Sequence, residues 1–263
     1  MSDIKVVVNG ILGKMGQAVL DATLNAPGIT PIAGCDSSDA IKSDYIDTVS
    51  GRVPLFSDLE LSLNNADVIV DFSNSEGARK VISMASQKKV HCVIGSTGLS
   101  EEDFSNAEKL ASEYGTSIII APNFAMGAVL MTHLIKESAR FFEYADLTEV
   151  HHEAKIDSPS GTALSMAKAA HEGKKGSFQS PKSEKELIKG ARGADYNGVV
   201  IHSGRMPGRI AHHEMVFGAL GQTFTIRHDS ISRESFMPGV IMSIEASMNQ
   251  KGLTLGLDKI MGL

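Results

Sequence analysis

Apolar residues in the first half of the chain fall in short unbroken runs. Residues 4–9 (IKVVVN), 29–35 (ITPIAGC), 67–72 (DVIVDF), 90–94 (VHCVI) and 117–121 (SIIIA) each read as a strand buried on both faces. Between them, the stretch through Val19, Leu20 and Leu24 and the segments around 76–88 and 101–113 repeat apolar positions at helical spacing. Short buried strands alternating with helices predict an α/β layer with a parallel sheet covered on both faces. The texture changes after Pro122-Asn123. Residues 127–142 and 161–171 are helix-like, and 173–195 form a polar, Lys-, Gly- and Ser-rich stretch expected to be a long mobile loop. Residues 198–203, 212–220 and 222–228 alternate as strands of an open mixed or antiparallel sheet do. Helical spacing returns at 238–249, a tail expected to rejoin the first domain.

Composition narrows the class. The 263 residues, enough for one large domain or two modest ones, are 42% hydrophobic and 21% charged, ordinary for a soluble globular protein; the change of texture after Asn123 favours two domains. A formal net charge of −6 argues against a general nucleic-acid surface. No apolar run is long enough for a membrane span, and the chain enters its first strand without a signal-peptide layout. A cytoplasmic enzyme with no membrane partner is expected. Cys35 and Cys92 each lie in an apolar stretch, so buried free thiols in a reducing compartment are expected.

The first strand runs into Gly10-Ile11-Leu12-Gly13-Lys14-Met15-Gly16, and the second ends at Asp36, about 20 residues further on. Strand, glycine turn, helix and strand ending in an acid is the order of a dinucleotide-binding unit, although the spacing is G-x-x-G-x-x-G. Three further turns follow buried strands directly: Phe72-Ser73, Gly95-Ser96-Thr97-Gly98 and Ala121-Pro122-Asn123-Phe124. In an open α/β sheet, ligands lie at the carboxyl ends of the strands, so these turns are placed to line a cofactor cleft.

The densest chemistry lies in HHEAKIDSPSGTA, residues 151–163. His151, His152 and Lys155 offer two imidazoles and an ammonium. Ser160, Gly161 and Thr162 open a helix-like run whose unpaired N–H groups and dipole suit a carboxylate. Proton donors beside an anion cradle predict catalysis on a small acidic molecule. His212-His213-Glu214 repeats the triplet His151-His152-Glu153 and raises the question of a metal. Adjacent strand residues point to opposite faces, and no HExxH spacing or Cys partner is present, so no metal is expected. The residues alone leave open another oxidoreductase of this layout, acting on a small carboxylated imine or aldehyde, and a non-catalytic nucleotide-sensing module.

Through GILGKMG, VIGSTG (93–98), APNF (121–124) and above all HHEAKIDSPSGTA, nearly the whole chain resembles the dihydrodipicolinate reductase family of lysine and diaminopimelate biosynthesis. The resemblance implies a Rossmann-type domain (1–123 plus 236–263) and a second, α+β mixed-sheet domain for substrate binding and tetramerisation (124–235). It implies NADH or NADPH as cofactor, a cyclic dicarboxylate substrate and a homotetramer. His151 is then the proton donor, Lys155 a second acid facing the substrate, and His152, Gly161 and Thr162 substrate-binding; Ser160 joins them from its place at the same helix start, where its hydroxyl can contact the anion. Gly10 to Met15, Asp36, Phe72, Ser73, Gly95 to Thr97 and Ala121 to Phe124 are cofactor contacts. The chain departs from many relatives in carrying Asp36-Ser37-Ser38 after the second strand and Asn74 after Phe72-Ser73. The charge on Asp36 is expected to repel a 2′-phosphate and favour NADH, with Lys14, Ser37 and Ser38 offsetting that repulsion.

Overall fold

The computed structural model describes residues 3–263, which divide into two compact units, one reaching Phe124 and resuming over Phe236–Gly262, the other spanning Ala125–Ser235. The first begins with β1 (Ile4–Asn9), α1 (Lys14–Asn25) and β2 (Ile29–Cys35). Next come an antiparallel hairpin, β3 (Tyr45–Thr48) with β4 (Gly51–Phe56), and one helical turn, α2 (Leu59–Ser62). Then follow β5 (Val68–Asp71), α3 (Ser75–Gln87), β6 (His91–Ile94), α4 (Glu101–Tyr114) and β7 (Ser117–Ile120).

The second unit holds α5 (Met126–Ala139), β8 (Tyr144–His151), α6 (Gly161–Lys174), β9 (Ala194–Tyr196), β10 (Val199–Arg205), β11 (Ala211–Ala219) and β12 (Gln222–Ser230). The chain then returns to the first unit with α7 (Met237–Ser247), β13 (Gly252–Leu255) and α8 (Leu257–Met261).

The first unit is a Rossmann-like eight-stranded sheet ordered β13-β7-β6-β5-β1-β2-β4-β3, parallel except for the β3–β4 hairpin. Strand alternation sorts its core into two layers. Val7, Ile69, Cys92, Ile94 and Ile118 meet Ala78, Val81, Ile82 and Ala85 of α3 and Ala107 and Ala111 of α4. The other face is covered by α1 and α7, which touch each other, α7 also lying on β5, β6 and β7. Each fully buried Val or Ile contributes roughly 1.5–3 kcal/mol of transfer free energy.

Local chemistry sets the helix ends. Ser100 and Asp103 form a reciprocal capping box at the start of α4, and Gly115, at φ 68°, stops it. Asn74, the residue that departs from the family pattern, caps α3 by accepting from the Gly77 N–H.

The second unit is a mixed five-stranded sheet ordered β12-β11-β8-β10-β9, with β8 antiparallel to β11 and parallel to β10. The paired helices α5 and α6 lie against one side, α5 on β12 and α6 on β8 and β10. Leu147, Glu149, His151, His213, Met215 and Phe217 are buried, whereas on the opposite face by alternation Asp146, Val150, His212, Glu214 and Val216 are only partly covered and Thr148 is exposed. The polar segment 173–195 is shorter than its composition suggests: α6 runs on to Lys174 and β9 begins at Ala194. Cys35 and Cys92 are both buried free thiols, and burial pushes the Cys35 thiol up to about 11.

Candidate functional site

Five loops of the first unit converge at the carboxyl ends of its parallel strands. Gly10 to Met15 follow β1, Asp36 follows β2, Phe72-Ser73 follow β5, Gly95 to Thr97 follow β6, and Ala121 to Phe124 follow β7. The strand order reverses between β1 and β5, the point at which doubly wound sheets take their ligands.

The glycine turn is built for close approach. Gly10 sits at φ +74°, and a Cβ there would press on the Phe72 carbonyl. A Cβ on Gly16 would overlap the Gly10 carbonyl oxygen, so α1 packs directly on the turn. No side chain caps α1 and no acid lies in its first turn, so its leading N–H groups and positive dipole end suit a pyrophosphate. The Asp36 carboxylate accepts from the Leu12 N–H at 2.9 Å and the Ser37 N–H at 2.8 Å. It is thus fixed beside the turn with lone pairs left for ribose hydroxyls. These features fit a dinucleotide.

Burial separates the predicted contacts. Ile11, Ala121 and Phe124 are core side chains, so only their backbones can meet a ligand. Leu12, Met15, Asp36, Phe72, Gly95 and Asn123 are half-buried, and Gly13, Lys14, Ser73, Thr97 and Pro122 are exposed. The Phe72 ring packs on Phe124, with centroids 5.6 Å apart, which joins the β5 and β7 loops. Asp71, outside the predicted set, ties the end of β1 and the β6 loop to the same β5 loop. Its buried carboxylate accepts from Asn9 Nδ2, Ser73 Oγ and Ser96 Oγ, each at 2.6 Å. Its signal was a charged residue closing an otherwise apolar strand.

In the second unit, His151 ends β8 on the face shared with Leu147 and Glu149. It is 6% exposed, and its Nδ1 lies 2.5 Å from Glu149 Oε2. Glu149 is fully buried. Its oxygens also accept from Arg205 Nη1 at 3.0 Å, Arg205 Nη2 at 2.9 Å and the Ser160 N–H at 3.2 Å. Burial pushes the Glu149 carboxyl up, but the hydrogen bonds from His151 and Arg205 outweigh it and hold it at about 2. His213, opposite Glu149 on β11, sets its ring edge-on to that of His151, with centroids 5.3 Å apart. Burial first, then the neighbouring His151, lowers it to about 4, so it is neutral near pH 7. His152 lies beyond the strand end and is half-buried.

Ser160 caps α6, its Oγ accepting from the Ala163 N–H at 3.1 Å with His213 Nε2 at 3.4 Å. It is 1% exposed with its polar atoms engaged inside the protein, which leaves Gly161 and Thr162 as the accessible part of that helix start. A Cβ on Gly161 would meet nothing within 4 Å. Lys155 is paired with Asp157, Nζ to Oδ1 at 2.7 Å. The Lys155 hydrogen bond, aided by backbone N–H groups that include that of Gly161, holds the Asp157 carboxyl below its ordinary value. An internal carboxylate therefore already lies on the ammonium that the sequence assigned to a ligand. Among the described residues no group of three His, Cys, Asp or Glu is arranged to hold a metal ion.

Known proteins resemble the chain over its full length. Residues 4–124 match the family described as dihydrodipicolinate reductase, N-terminus, and residues 127–261 match dihydrodipicolinate reductase, C-terminus. A 4-hydroxy-tetrahydrodipicolinate reductase of Dehalococcoides mccartyi is 43% identical over 100% of both chains. One from Halalkalibacterium halodurans is 41% identical over 98% of this chain and 99% of its own. The solved structure of a dipicolinate-bound dihydrodipicolinate reductase from Paenisporosarcina sp. TG-14 superposes with TM-score 0.88 at 38% identity, covering 98% of this chain and 99% of that one.

Proposed function

The chain belongs to the dihydrodipicolinate reductase family, and on that premise we propose that it reduces 4-hydroxy-tetrahydrodipicolinate, or its dehydrated form, to (S)-2,3,4,5-tetrahydrodipicolinate with NADH or NADPH. The observation that carries the reading is the Asp157 carboxylate on Lys155, in the unit that holds His151. A site that holds its own carboxylate there is chemically matched to a carboxylate of the substrate. The relative from Paenisporosarcina, whose structure contains dipicolinate, supports the same class of ligand.

The chemistry divides between the units. The glycine turn, Asp36 and the loops after β5, β6 and β7 would hold the dinucleotide, whose bound nicotinamide supplies hydride to a substrate that has lost water. The reduced ring then needs a proton. His151 is the side chain placed to deliver it through Nε2, its Nδ1 being turned to Glu149. Lys155 neutralises carboxylate charge, and the backbone N–H groups and hydroxyl of Gly161 and Thr162 fix the carboxylate's position.

We further propose a cytoplasmic homotetramer assembled through the second unit. The half-covered side of its sheet supports a self-association surface, and two buried free thiols suit a reducing compartment. Among the described residues no helix is long and apolar enough to cross a membrane. The test of function is oxidation of NADH and NADPH by the purified chain, with substrate freshly generated by the preceding enzyme. Turnover with neither cofactor overturns the proposal. Light scattering that gives a monomer removes the tetramer.

A further inference from the structure

Sequence motifs single out His151 but say nothing of what aims it. In a neutral imidazole one nitrogen carries hydrogen and the other does not, and the neighbour of one sets the state of the other. We propose that Glu149 is a positioning residue that fixes the proton of His151 on Nδ1 and so directs Nε2 to the substrate, with Arg205 locking the carboxylate in place. The inference rests on the reading of His151 as the proton donor.

Four bonds converge on the Glu149 carboxylate from three directions. His151 Nδ1 approaches along β8 at 2.5 Å. Arg205, the register partner of His151 on β10, grips both oxygens at 3.0 and 2.9 Å. The Ser160 N–H closes from the start of α6 at 3.2 Å. Such a fork fixes a carboxylate in plane and in rotation, which a single bond does not. Arg205 also donates to the carbonyl oxygens of Gly204 and Asp157, each at 2.6 Å. The same guanidinium therefore braces the loop that carries Lys155. His213, the other titratable group against the His151 ring, is neutral near pH 7, so Glu149 supplies the negative charge beside that imidazole.

Arg205 would also hold the amide oxygen of a glutamine at this position, turning its NH2 group toward His151. An amide N–H facing Nδ1 forces the neutral imidazole to carry its proton on Nε2, the wrong form for a base recharged at that atom. Glu149→Gln is therefore expected to lower kcat by roughly 10²–10⁴-fold, the range for losing a correctly oriented acid-base group. Affinity for pyridine-2,6-dicarboxylate should change little.

The decisive readout is the ¹⁵N spectrum of the imidazoles above their titration. His151 is identified among the nine histidines by the signal lost in His151→Gln. Wild type should show Nδ1–H at His151, and Glu149→Gln should show Nε2–H. Wild type with Nε2–H overturns the proposal, whether or not the variant folds. So does a folded Glu149→Gln that keeps wild-type kcat, or loses it with the tautomer unchanged. The wild-type spectrum needs no substrate, so the proposal and the reductase reading can fail separately.

Discussion

Asp36 accepts a hydrogen bond from the backbone N–H of Leu12 at 2.9 Å, so the acid that ends the second strand belongs physically to the glycine turn. Asp36 thus serves two purposes. It braces the backbone that approaches the pyrophosphate, and it presents charge where the adenosine ribose would lie. Removing the side chain and removing the charge are different experiments.

NADH is expected to give the higher kcat/KM in the parent enzyme. Asp36→Asn keeps an acceptor for Leu12 and removes the charge. It should shift the NADPH-to-NADH ratio of kcat/KM upward by roughly tenfold, the worth of one charged hydrogen bond or repulsion. A parent enzyme with strong NADPH preference contradicts the argument. Asp36→Ala should weaken both cofactors, because the turn loses its brace.

His151→Gln should lower turnover by about 10²–10⁴-fold while NADH affinity, measured by fluorescence titration, stays near wild type. His152 lies outside the Glu149 network, so His152→Gln should affect KM more than kcat. A near-normal His151→Gln with an inactive His152→Gln would reverse the assignment of the pair.

Asp157 competes with any incoming carboxylate for Lys155. Asp157→Asn should therefore tighten competitive inhibition by pyridine-2,6-dicarboxylate. Gly161→Ala should leave the melting temperature unchanged, since its Cβ meets open space, and weaken the inhibitor. Thr162→Val should cost the inhibitor about 0.5–3 kcal/mol. Equal inhibition by pyridine-2-carboxylate would rule out a second carboxylate anchor.

Acid should destabilise the second unit through His213. Its folded value of about 4 lies below the ordinary 6.5, so between those values the unfolded chain binds the extra proton. Stability then falls as pH drops through that window, by up to a few kcal/mol. Burial shifts His91 and His228 in the same direction. A melting curve followed from pH 7 to pH 4 should decline, and His213→Leu should flatten the decline. A variant with an unchanged slope would place the titration elsewhere.

Much of the fold was legible because buried parallel strands leave unmistakable apolar runs, and β1 and β2 fall at 4–9 and 29–35 as expected. The hairpin β3–β4 left no such trace. Its residues are mostly exposed or half-exposed at the sheet edge, so burial imposed no pattern. The strand β13 was hidden likewise, as a half-exposed edge strand of four residues. At the site, the motif pointed to His151 and Lys155 but not to Glu149 or Arg205. Those two meet only when β8 and β10 pair in parallel, a contact across 56 positions of sequence. Asp157 was inside the motif, yet its pairing with Lys155 follows from loop geometry, which spacing does not encode.

The return of α7 and β13 to the first sheet has a consequence for synthesis. Val240 and Ile244 of α7 are fully buried in that unit, and β13 completes its edge. A nascent chain that has emerged only as far as Phe124 therefore exposes part of the apolar surface of its sheet while the whole second unit is still being made. Contacts this distant in sequence form late. During that interval the half-clad sheet is the species a chaperone would have to shield, and truncation before Met237 would make the exposure permanent.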